Sequence, residues 1–263
     1  MRFIHSIIFF VHLILTSIRA SMSVRGAFLF ETILMVGNNL IFFSIWWIFF
    51  RQFNDIAGWQ IREMTIMMAV GTGAYGLMQL CFGGVRQLSR TIMQGDLDPF
   101  MTQPKNLLIH LIGSRSLAKG WGHLLTTFVL LMMEGLFDPQ TITLVTIGVI
   151  CGAIVFTSMS IIAHSLTFWL GPLESLAQKY SDSLFVFALY PTHIYSGLLN
   201  LAMFTLIPAG IIGYLPVELV REFSWVRLIV LILSSLTFWA IAFEVFNLGL
   251  RRYESGNQFG GRT

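Results

Sequence analysis

Charge is what this chain has least of. Only 11% of its 263 residues are Asp, Glu, Lys or Arg, against about 25% in an average soluble domain. A water-facing surface needs far more, so a soluble globular fold is excluded. Cysteine is nearly missing too: Cys81 and Cys151 are the two present, both inside apolar runs. That leaves no disulfide framework and no C-x-x-C redox or zinc motif, and a small buried hydrophobe is the ordinary role of such thiols. Catalytic signatures are also lacking, with no G-x-x-x-x-G-K-[ST], no H-E-x-x-H and no G-x-S-x-G. His110, His123, His164 and His193 have no nearby carboxylate at ligand spacing, whereas zinc requires three or four converging ligands. The chain itself is therefore expected to bind no metal or cofactor, to catalyse nothing and to bind no nucleic acid.

What the chain has is hydrocarbon. Hydrophobic residues make up 56% of it, gathered into six runs at about 26–50, 63–85, 113–135, 142–170, 194–214 and 225–249, each close to the ~20 residues that cross a hydrocarbon core of about 30 Å. Backbone groups in lipid must be satisfied internally, so the runs are expected to be helices. The expected fold is an all-α membrane protein with six transmembrane helices in a single domain, 1–263. With the N-terminus in the cytoplasm, twelve of the 16 Lys and Arg face inward, leaving Arg51, Arg62, Arg221 and Arg227 outside. That asymmetry satisfies the positive-inside rule. Trp46, Trp47, Trp59, Trp121, Trp169 and Trp225 near run ends fit interfacial belts.

The first 22 residues carry Arg2, His5, His12, Thr16 and Arg19, which fall in one sector about 100° wide at helical spacing. This polar stripe favours a helix lying in the interface over a seventh span or a signal peptide. In and around the fifth run, Pro191 is read as the cytoplasmic entry, Pro208 as a kink and Pro216 as the start of a short outer segment. The polar, glycine-rich tail, 250–263, is expected to be cytoplasmic.

Carboxylates, amides and imidazoles within apolar runs are candidate transport groups by default. They are Glu31, Asn38, Asn39, His164 and Glu244. Glu31 and Glu244 lie near basic residues at their own helix ends, and Asn38, Asn39 and His164 suit interhelical hydrogen bonds. Gly148-x-x-x-Gly152 and the cluster Gly71, Gly73, Gly76 are expected to let helices approach closely.

The turn from Arg86 to Pro104 differs from the others. Leu88, Ile92 and Met93 alternate with Arg86, Gln87, Ser89, Arg90 and Gln94 in the manner of a short amphipathic surface helix. Gly95 is placed to end it, and Asp96, Asp98 and Pro99 to form a turn. Charge bias alone accounts for the orientation of this loop.

Several elements together resemble the type-2 ABC transporter permeases, in particular the small branch described as ABC-2 family transporter proteins. They are Gly58-Trp59, Phe82-Gly83-Gly84, Gly95-Asp96-Leu97-Asp98 with Gln103-Pro104, Tyr190-Pro191 with Ile194-Tyr195, Thr205 to Pro208, Leu215-Pro216, and Arg252-Tyr253-Glu254-Ser255-Gly256. The resemblance implies a type V exporter-like fold with an N-terminal elbow helix over 1–22. It implies a coupling helix in the 86–104 loop, where Arg86, Leu88, Arg90, Ile92, Gly95, Asp96, Leu97 and Asp98 contact a separate ATPase. It also implies two ATPase subunits carrying ATP and Mg, a second permease, homologous or identical, as dimer partner, membrane lipid around the chain, and export of a small or lipophilic compound across a bacterial inner membrane. Gln103 stands where the family often has Arg. The rival readings are a channel or scramblase, a polytopic enzyme, or an assembly protein without ATPase coupling.

Overall fold

The computed structural model describes residues 2–53, 58–191 and 197–253, with side chains from residue 9 onward. Glu254, Ser255, Gly256, Arg262, His193, Ile194 and Tyr195 lie outside the described residues, as do the side chains of Arg2 and His5. No β-strand occurs among the described residues. The helices are α1 Arg2–Ser21, α2 Arg25–Gln52, α3 Ile61–Phe82, α4 Leu88–Gln94, α5 Asp98–Met101, α6 Leu107–Gly113, α7 Lys119–Met133, α8 Pro139–Ser165, α9 Thr167–Leu170, α10 Glu174–Ala188, α11 Leu198–Thr205, α12 Leu215–Arg221 and α13 Trp225–Leu250. A 3-10 turn, Gly83–Gln87, joins α3 to α4.

Local chemistry sets several of the helix starts. Asn106 accepts the amide of Ile109 at the start of α6, and Asp138 accepts that of Thr141, 2.8 Å away, at the start of α8. The Thr141 amide holds the exposed Asp138 carboxyl below its usual range. Such caps satisfy donors that have no partner within the helix.

The bundle is arranged around α3, which is buried along most of its length. It packs between α7 and α8; α2 lies outside α7, α13 lies outside α8, and α10 contacts both α8 and α3. The small residues have definite partners. Gly76 sits against the Gly120 carbonyl, and Gly148 and Gly152 sit against Pro216 and Ala74. These are the close approaches expected of the two glycine clusters.

Among the described residues, four helical stretches are long and apolar enough to cross a membrane: Arg25–Gln52, Ile61–Gln94, Pro139–Leu170 and Trp225–Leu250. The third expected run, 113–135, is helical from Lys119 to Met133 as α7, and the separate short helix α6 ends at Gly113, where the run begins. The fifth expected run, 194–214, is not one helix. Leu198–Thr205 and Gly210–Arg221 meet at a 75° bend, because Pro208 has no amide to continue the helix and a π-helical turn, Gly210–Tyr214, follows it. A β-carbon on Gly213 would lie 2.5 Å from the Ala188 carbonyl, so this turn presses directly on the end of α10. α10 falls between the fourth and fifth expected runs, where the sequence predicts no span.

One further expectation changes. Trp59 is 1% exposed and stacks on Tyr214 at 6.1 Å, so it belongs to the core and not to an interfacial belt. α1 exposes His12, Thr16 and Arg19 of the expected polar stripe and packs its other side on α6, where Ser17 donates to the Gly113 carbonyl.

Candidate functional site

The Arg86–Pro104 segment lies at one end of the bundle, here called the loop end. It starts where Gly83 and Gly84 let the chain run against α6. A β-carbon on Gly84 would overlap the Leu111 carbonyl oxygen. α4 follows and stops at Gly95, whose φ of 77° is left-handed and suits glycine. Asp96 then donates its amide to Thr91, closing the cap. Instead of a turn, Asp98 and Pro99 begin the one-turn helix α5, with Pro99 in its first turn, where its missing amide costs nothing.

Three polar latches tie this segment to the bundle. In the first, Nη1 of Arg86 lies 2.8 Å from Oδ1 of Asp182 on α10. The Tyr75 hydroxyl accepts from Nη1 at 2.9 Å and donates to Oδ1 at 2.7 Å, while Gln178 donates to the Arg86 carbonyl. In the second, the fully buried Ser89 hydroxyl sits 2.7 Å from Nδ1 of His164 on α8 and accepts from Thr167 on α9 at 3.0 Å. In the third, the Tyr253 hydroxyl, just past α13, donates to Oδ1 of Asp98 at 3.1 Å. Burial and the adjacent Asp98 carboxylate push the Tyr253 phenol up to about 12, so it keeps its proton throughout the physiological range.

The residues named from the sequence divide accordingly. Leu88, Ile92 and Leu97 are buried in the chain's own core. Arg86 and Asp98 are taken up by latches. Arg90, Gln94 and Asp96 are exposed, and the Arg90 Nε donates to Gln94 Oε1 on the same helix.

The intramembrane candidates do not converge. Asn39 is buried and donates to Thr126 on α7 at 3.0 Å, with Nδ1 of His123 also at 3.0 Å. It thus makes the interhelical hydrogen bonds expected of it, as His164 does with Ser89. Glu31, Asn38 and Glu244 are exposed on the outer faces of α2 and α13. Among the described residues no group of three His, Cys, Asp or Glu could hold a metal. Sequence reasoning missed Asp182, Tyr75 and His123. Tyr75 stacks on Phe185 at 4.3 Å and meets His123 edge-on at 5.3 Å, so one aromatic group joins the first latch to the Asn39 cluster.

Several long apolar helices packed around a buried central one make this a multi-pass integral membrane protein. The chain belongs to the ABC-2 family: the family model for ABC-2 family transporter proteins matches residues 33–257. It is accordingly a permease subunit of an ABC transporter, a class that works with an ABC ATPase. No curated protein and no solved structure matches it.

Proposed function

We propose that this chain crosses the bacterial inner membrane six times, with both termini cytoplasmic, and exports a small or lipophilic compound powered by two separate ATPase subunits that dock on the Arg86–Pro104 loop. The crossings are α2, α3, α6 with α7, α8, the broken path from α10 to α12, and α13. The basic excess at the loop end supports that orientation. α1 is the interfacial elbow helix. A second permease, homologous or identical, completes the translocation path, since Glu31, Asn38 and Glu244 face away from the chain's own core.

The carrying observation is the two-sided character of the loop. Its inner side is latched to α8, α10 and the end of α13, whereas Arg90, Gln94 and Asp96 are left outward. Docking falls to those exposed groups. Leu88, Ile92 and Leu97, together with the latches, transmit the displacement when the ATPases close. ATP and Mg reside on the partner.

The test begins with affinity purification from native membranes, which should bring down a phosphate-loop ATPase. In the assembled complex, Arg90→Glu and Asp96→Lys should each abolish permease-stimulated ATP hydrolysis while membrane insertion stays intact. Full stimulation in both variants would refute docking on this loop.

A further inference from the structure

A crevice of about 370 Å³ opens between α1, α6, the end of α3 and α13, within the range of about 300–1,000 Å³ typical of ligand sites. Its walls include Phe10, Phe82, Ile112 and Trp239, and its mouth holds Lys105 and Asn106. Among the described residues that line it, Lys105 is the one that carries charge. The Lys105 Nζ lies 4.5 Å above the Phe9 ring, a cation–π contact that holds the ammonium at the mouth.

The depth is informative. Trp239 on α13 and Ile154 on α8 both line the crevice, and each lies eleven residues before the loop-end terminus of its helix. At 1.5 Å per residue that is roughly 16 Å, about half of a ~30 Å hydrocarbon core and so the depth of one leaflet. An apolar slot of that depth offers a peptide too little to satisfy its backbone groups. A hydrocarbon chain requires none, and a cation at the mouth selects a negative headgroup.

We propose that the crevice holds one acyl chain of an anionic phospholipid from the leaflet at the loop end, with the lipid phosphate at Lys105. The lipid then wedges α1 against α6 and lies beside the loop proposed to receive the ATPase. This site rests on the membrane orientation given under the proposed function, but its test needs no ATPase.

The full-length protein is reconstituted into nanodiscs of equimolar dioleoyl phosphatidylglycerol and dioleoyl phosphatidylethanolamine, then released into a native mass spectrometer. The wild type should retain one phosphatidylglycerol in preference to phosphatidylethanolamine by about fivefold, the effect expected of one basic residue at an anionic surface. Lys105→Gln should bind both lipids equally. Leu236→Trp, which adds bulk at an exposed wall position, should retain neither. Both variants should elute like the wild type in size exclusion, because both side chains are exposed. Equal retention of the two lipids by the wild type, unchanged retention in both variants, or no retained lipid overturns the site. Lipid retention without ATPase capture would instead sink the docking reading and leave this site standing.

Discussion

Arg86 and Asp182 are 96 residues apart in the chain, yet two guanidinium nitrogens reach the two carboxylate oxygens, at 2.8 and 3.4 Å. The Tyr75 hydroxyl bridges the same pair. The side chains are 22% and 55% exposed, so solvent screens the pair and its worth is about 1 kcal/mol or less. Its geometric effect is larger, because it joins the 3-10 turn after α3 to α10.

Asp182→Asn should therefore lower thermal stability in detergent only slightly, by an amount matching about 1 kcal/mol or less, while reducing stimulated ATP hydrolysis in the complex several-fold. The exchanged pair Arg86→Asp with Asp182→Arg should recover part of that activity. An exchanged pair no better than either single variant would show that the charges do not act together.

Tyr253→Phe removes the hydroxyl from Asp98 and should cost about 0.5–1.5 kcal/mol. Hydrogen exchange should rise over residues 96–101 and leave α8 unchanged. The pH dependence has a definite sign. The folded phenol titrates at about 12, above its ordinary value near 10, so the native state favours the neutral form. The contribution is complete below pH about 10 and is lost as pH rises towards about 12. Thermal melts of the wild type and Tyr253→Phe should converge across that interval.

Asn39→Leu removes both bonds from α2 to α7 and should destabilise the protein by about 1 kcal/mol, the scale of hydrogen bonds between membrane helices. A double-mutant cycle with His123→Ala is the check. Additive losses would mean that the 3.0 Å contact between Asn39 and His123 carries no coupling.

The long spans were legible because uninterrupted apolar sequence has few other uses. α2, α3, α8 and α13 begin and end within a few residues of the runs. The Gly95 helix stop was legible too, since few other residues adopt that backbone freely. α10 was not, because Glu174, Lys179 and Asp182 break its hydropathy. Its signal lay in Ala177, Ser181, Leu184 and Ala188, all buried and spaced along one helical face. The kink at Pro208 was legible from the proline itself, but its 75° size was not, because apolar residues on both sides made a continuous run. The latches escaped notice because each joins residues remote in sequence. Ser89 read as a surface residue of an amphipathic helix, yet it points inward to His164. That inversion depends on where α8 ends, which composition does not encode.

The three latches leave a signature that needs no structure to detect. Positions 86 and 182, 89 and 164, and 98 and 253 are each tied by a specific donor and acceptor. A lineage that replaces one member is under pressure to adjust the other. The loop surface around Arg90 and Asp96 carries no such internal obligation. Among diverging members of the family, the inner half of the loop should drift in step with distant parts of its own chain, while the outer half drifts in step with another gene.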